Sequence, residues 1–169
     1  MTKIYRIIIF LTLINLPFST YAHIQHYEDL KRIEFDIYRN NKLIGTHIFS
    51  FKKLDGQLAV KSEINFKIKK FGIVFYTYHV EGTEIYEDGK LIKFNSKTNQ
   101  NGKEKYVNII LENEEYTIDG SSYQGKVPED YLLGTWWNHS IVKAEAQISA
   151  VSGRIIKQKV TFLSKEIIK

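Results

Sequence analysis

The sequence predicts a mainly β protein: a curved antiparallel sheet built as a meander of hairpins, forming a half-barrel or open barrel. Three observations carry this. Residues alternate in polarity over long stretches, Asx-Gly dipeptides punctuate those stretches, and almost no segment has helical periodicity. The clearest stretch is Gln57 to Thr98. Leu58, Val60, Ile64, Phe66 and Ile68 fall on one face, with Ser62 between them. Ala59, Lys61, Glu63, Asn65, Lys67 and Lys69 fall on the other, which is the period of a half-buried strand. A second strand places Val74, Tyr76, Tyr78 and Val80 opposite Phe75, Thr77, His79 and Glu81. A third pair, Thr83–Glu87 and Leu91–Lys97, turns at Asp88-Gly89.

The flanking strands follow in order. Lys31–Arg39 alternates with Ile33, Phe35 and Ile37 inward, and Asn40-Asn41 is a tight turn because asparagine tolerates positive φ. Its partner runs from Leu43 to Lys52, and Gly45 within it marks a bulge or a close backbone approach. Asp55-Gly56 closes that strand, and Lys69-Lys70-Phe71-Gly72 makes the next break. Asn101-Gly102 joins Leu91–Lys97 to Lys105–Leu111, and Tyr116–Ile118 is a short strand ending at Asp119-Gly120. From Pro128 the pattern changes. Glu129–Val142 reads as a short helix or loop cap, because Trp136 and Trp137 are adjacent and cannot both face the core of a strand. Ile148–Val151 and Arg154–Ile168 read as strands again, separated by Ser152-Gly153. With one apolar face and few helical residues to cover it, such a sheet is expected to curl on itself.

The N-terminus reads as a secretory signal peptide over residues 1–22. Lys3 and Arg6 precede an apolar run from Ile7 to Leu16, then Pro17 and small residues before a cut after Ala22. The apolar run is too short to span a bilayer as a helix. Residues 23–169 then form one antiparallel β domain. The formal charge of +5, less the two basic residues of the leader, leaves +3, and the lysines are scattered over polar strand faces. That distribution argues against a nucleic-acid surface, which needs clustering. There is no cysteine, hence no disulfide and no lipidation site of the bacterial lipoprotein kind. An exported protein, periplasmic or secreted, is the expectation, in membrane contact only through the signal peptide.

Candidate chemistry is sparse. His79 and Glu81 share a strand face, with Glu84 near and His47 on neighbouring sheet, a set that could bind zinc or move a proton. A solvated strand face explains His79 and Glu81 more simply, and no metal or cofactor is assigned. Asn138-His139-Ser140 places a hydroxyl beside an imidazole, but sequence neighbours seldom meet in triad geometry and no nucleophile elbow surrounds Ser140. No catalytic residue is assigned. The aromatic-rich sheet face is the remaining candidate. Leu58, Val60, Ile64, Phe66, Tyr76 and Tyr78, with Trp136 and Trp137, either fill a core or line an apolar cavity.

Four stretches resemble one family, an uncharacterised group of exported bacterial proteins known as domain-of-unknown-function family 6134. They are Ile37 through Gly45-Thr46-His47, Tyr76–Glu84 followed by Asp88-Gly89-Lys90-Leu91, Thr98–Lys103, and Pro128 through Trp137-Asn138. The resemblance implies a curved antiparallel sheet similar to periplasmic lipoprotein and lipid carriers, and brings no activity and no site residues. Members usually continue past the position of Ile168, so it also implies a C-terminally shortened chain with an exposed last strand.

The leading expectation is therefore a non-enzymatic periplasmic protein that binds or shields an apolar ligand such as a lipid or acyl chain. The alternatives are a structural or envelope-assembly protein, partnered at an open edge strand near Thr161, and a small outer-membrane barrel. The lack of aromatic girdles argues against the last.

Overall fold

The computed structural model describes residues 29–164. The signal peptide read at residues 1–22, with its cut after Ala22, lies outside them, as does the end of the strand expected to reach Ile168. Eight strands form one antiparallel sheet in strict sequence order: β1 Arg32–Arg39, β2 Lys42–Leu54, β3 Gln57–Lys70, β4 Ile73–Glu87, β5 Lys90–Gln100, β6 Lys103–Glu112, β7 Glu115–Gly120 and β8 Gln124–Pro128. β1 and β8 are both edges, so the sheet is an open meander and does not close into a barrel.

Local chemistry sets this topology. Two-residue turns join the first seven strands, at Asn40-Asn41, Asp55-Gly56, Phe71-Gly72, Asp88-Gly89, Asn101-Gly102 and Asn113-Glu114. Both residues of each turn have positive φ, the twist that matches the flanking strands. Five of the six begin with Asn or Asp, which tolerate this conformation, and the exception is Phe71 at φ 51°. Asp119-Gly120 is not a turn. Gly120 ends β7 with a neighbour so close that an added Cβ would lie 2.6 Å from the Ser152 carbonyl oxygen.

The glycine in β2 has both expected roles. The β1–β2 register shifts between Ile37 and Tyr38, opposite Leu43–Gly45. A Cβ at Gly45 would also sit 2.0 Å from the Asn65 carbonyl oxygen and 2.4 Å from the Phe66 Cβ. β4 differs from the sequence reading, which split it at Gly82. It is one strand of 15 residues, paired with β3 from Gln57↔Glu87 to Lys70↔Ile73. Gly82 does not break it. The missing side chain makes room for the Phe94 ring, whose Cε2 would lie 3.2 Å from an added Cβ.

The chain after β8 crosses one face of the sheet. It forms a second, small sheet of β9 Leu132–Leu133, β10 Ala146–Ile148 and β11 Ile155–Lys157, with β9 parallel to β10 and β11 antiparallel to it. A single 3-10 turn, His139–Lys143, lies between β9 and β10. The strands expected at Ile148–Val151 and Arg154–Ile168 are thus displaced and short. Ser149–Gly153 is instead a turn, with Gly153 N–H donating to the Ser149 carbonyl. Just past β11 the Gln158 N–H donates to the Glu145 carbonyl, and its Nε2 donates to the Ile141 and Ala144 carbonyls.

The core lies between this cover and the main sheet. Phe49, Phe51, Leu58, Val60, Tyr86, Phe94, Val107, Ile109, Tyr116 and Ile118 meet Leu133, Trp137 and Ile148. A Gly45→Ala variant is expected to lose about 1–3 kcal/mol of stability, since β2 and β3 must separate to admit the methyl group. Urea denaturation measures the loss, whereas Gly56→Ala, with nothing near its Cβ position, should show only the smaller cost of its positive φ.

Candidate functional site

Burial changes along the length of the sheet. On β3, Leu58, Val60 and Ser62 are buried, Ile64, Phe66 and Ile68 are half-buried, and Lys69 and Lys70 are exposed. On β4, Tyr86, Glu84, Gly82 and Val80 are buried and Tyr78 and Tyr76 are half-buried, and a register shift at Phe75 then turns Val74 to the other face. The same face is therefore packed at one end and uncovered at the other, and the residues expected to line one cavity divide between the two. Leu58 and Val60 belong to the packed core. Phe66, Tyr76 and Tyr78, with Ile64, form a strip on the uncovered part. Trp137 is buried in the cover, whereas its neighbour Trp136 is 74% exposed.

The packed end holds Glu84, which was expected near His79 and Glu81 but lies on the opposite face of β4, paired with Val60. Glu84 is fully buried. Its carboxylate accepts from Tyr86 Oη at 2.5 Å and from Trp137 Nε1 at 3.1 and 3.2 Å, with Thr135 Oγ1 at 3.5 Å. Burial pushes the Glu84 carboxyl up to about 7, against the pull of these donors. Burial and the adjacent Glu84 charge hold the Tyr86 hydroxyl well above its usual range. The Trp137 ring stands edge-on to Phe51 and Tyr86, at 5.4 and 5.6 Å between centroids. This cluster ties the cover to β4. Alternation carried on from Val80 through Gly82 to Tyr86 would have placed Glu84 on the apolar face. The need of a buried indole N–H for an acceptor was the second available signal.

At the uncovered end the Phe66 ring stacks on Tyr78 at 5.0 Å and 28°, and on Tyr76 at 5.9 Å and 26°. Burial, then the neighbouring Tyr76, raises the Tyr78 hydroxyl above its ordinary value. A groove of about 470 Å³ opens beside Phe66, where β2 and β3 part company. Leu43, Ile44 and Gly45 form one wall, and Lys42, Lys67 and Lys69 also line it.

The histidines do not combine. His47 pairs across the sheet with Ile64, and His79 with Asn65, so the two imidazoles point to opposite faces. His47 packs between Phe35 and Phe49, where burial lowers its basicity. His79 approaches Glu81 at 3.6 Å on the exposed side. Among the described residues no three His, Cys, Asp or Glu side chains converge as metal ligands would. Asn138 has a structural task, capping the 3-10 turn by accepting from the Ser140 N–H at 3.0 Å. Among the described residues no helix is long and apolar enough to cross a membrane.

Fold and site together define a class: an open antiparallel meander with a packed, pinned end and an uncovered aromatic strip on the same face. Residues 35–169 match the family described as a domain of unknown function, DUF6134, and the chain belongs to that family. No curated protein and no solved structure matches it.

Two predictions follow from the packed end. Trp137→Ala should cost about 3–5 kcal/mol through its cavity and the unpaired Glu84 oxygens, while Trp136→Ala stays within about 0.5 kcal/mol. Thermal unfolding of the pair separates them. The second concerns pH. Folded Glu84 holds its proton to about 7, the unfolded chain only to 4.5, so the folded state binds more protons between those values. Its contribution is therefore least unfavourable below pH 4.5, and stability falls as pH rises to about 7, by on the order of 3 kcal/mol. Urea midpoints across this range should flatten in Glu84→Gln, which keeps an acceptor for Trp137 but carries no titrating group.

Proposed function

We propose that this chain is an exported, non-enzymatic β protein, periplasmic or secreted, that binds or shields an apolar ligand of the lipid or acyl-chain type. The observation that carries this reading is the aromatic strip of Phe66, Tyr76 and Tyr78. It continues the apolar face of the sheet beyond the point where the cover stops. Half-buried stacked rings on a face otherwise built to be covered favour association with apolar material. The groove beside Phe66 adds a seat, and Lys42, Lys67 and Lys69 suit it to a chain with an anionic head. Each methylene removed from water would contribute about 0.8 kcal/mol, less the cost of ordering the chain. The basic and apolar N-terminus of the sequence supports export.

Native mass spectrometry of the chain purified from a bacterial periplasm tests the reading. Excess mass that organic extraction removes and returns as lipid is the expected result. Phe66→Ala/Tyr78→Ala should weaken binding of a fatty acid by roughly tenfold or more. A bare mass, with no fatty-acid binding by the wild-type protein, would sink the carrier reading.

A further inference from the structure

β3 and β4 are longer than their neighbours. β2 pairs with β3 only as far as Gly45↔Phe66, and β5 with β4 only as far as Tyr78↔Gln100. The Asn101 N–H still donates to the Thr77 carbonyl, and residues 67–76 project beyond these pairings as a two-stranded ribbon. A ribbon of this kind is marginal in water on its own, yet this one carries Phe71, Ile73, Val74 and Phe75 exposed, Phe71 at 91%. The β3–β4 register shifts between Ile68↔Tyr76 and Lys69↔Val74, which leaves Phe75 as the extra residue of a bulge, and the next pairs, Lys69↔Val74 and Lys70↔Ile73, face opposite sides, so apolar surface is presented on both sides and at the tip. Phe71 also occupies a left-handed turn position that the other five hairpins give to Asn or Asp.

Charge distinguishes this ribbon from an ordinary sticky edge. Between Glu63 and Glu81 the chain has no acidic residue, and Lys67, Lys69 and Lys70 lie on the ribbon itself. The Lys70 ammonium sits over the Phe71 ring, 5.5 Å from its centroid. Because the sheet is a meander, alternate turns fall at the same end. Arg39, Lys42 and Lys103 flank the neighbouring turns at the ribbon's end, whereas at the other end Asp55, Glu87, Asp88, Glu112, Glu114 and Glu115 outnumber Lys53 and Lys90. Glu104, beside Lys103, is held by the Asn99 side chain.

From this arrangement we infer that the β3–β4 ribbon is a membrane-docking element that inserts Phe71, Ile73 and Phe75 into the surface of an anionic lipid bilayer. A protein partner with a flat surface would cover one side of the ribbon and leave the other wet. A bilayer interface takes up both sides at once, while the lysine stems reach back to the headgroups. The basic end faces the anionic surface and the acidic end points away, which orients the molecule on approach. The inference does not require a ligand on the aromatic strip.

Flotation of the purified chain tests it, with vesicles of mixed phosphatidylglycerol and phosphatidylcholine against phosphatidylcholine alone. The wild-type protein should float with the anionic vesicles and be released by salt at about 1 M. Phe71→Ser/Phe75→Ser should bind at least roughly tenfold more weakly. Lys69→Glu/Lys70→Glu should lose the preference for anionic lipid. Emission of Trp137, buried at the opposite end, should stay unchanged in both variants if they are folded. Phe66→Ala/Tyr78→Ala should float like the wild type. Absence of flotation overturns the inference, as does undiminished flotation of both ribbon variants. So does flotation that is lost with Phe66→Ala/Tyr78→Ala but kept by Phe71→Ser/Phe75→Ser, because the lipid contact would then belong to the aromatic strip. A wild-type dimer that Phe71→Ser/Phe75→Ser dissociates, with no flotation, would assign the ribbon to a second copy of the chain.

Discussion

One shortage of material governs the molecule: eight strands lay down an apolar face, and among the described residues only the chain beyond β8 covers it. β3 and β4, at 14 and 15 residues, are roughly 45–50 Å long. The cover consists of two- and three-residue strands, a 3-10 turn and the Ser149–Gly153 turn. It seals the end near Leu58 and Tyr86 and stops short of Phe66. Everything notable about the surface follows from where that seal ends.

The seal needs an anchor, since so short a segment has little regular structure of its own. Glu84 supplies it. A lone carboxylate in a core is costly, and the cost is offset only by donors brought to it. Here those donors come partly from the cover, through Trp137 and Thr135, and partly from β4 itself through Tyr86. The Ser96 hydroxyl adds a second stitch by donating to the Ala150 carbonyl at 2.6 Å. Close backbone contact between Gly120 and Ser152-Gly153 adds a third. The cover is thus held by a few directional contacts as well as by apolar area.

Much of the sheet was legible in the sequence. Period-two alternation and Asx turns are local signals, and strands β1 to β6 are made of local signals. The Gly82 split was misleading because a glycine can serve a neighbouring ring as easily as a bulge, and only the position of Phe94 distinguishes the two. β8 escaped notice because Val127 is its one buried side chain. The cover was largely illegible. Leu132–Leu133 finds Ala146–Ile148 through a parallel pairing that no periodicity announces. Val160 and Phe162 alternate like a strand, yet no sheet edge receives them and both are exposed. Phe66, Tyr76 and Tyr78 could be placed on one face but not assigned to core or surface, because that depends on how far the cover reaches.

The meander has a consequence for the order of assembly. Every pairing in the main sheet joins sequence neighbours, so each hairpin can close without waiting for a distant segment, and the loop-closure cost stays small at each step. The cover is different: Trp137 must find Glu84 across 53 residues of chain. The sheet can therefore zip in the direction of synthesis while its apolar face stays wet until the last quarter of the described chain arrives. A chain emerging in this order carries its most association-prone surface during the interval before Trp137 docks.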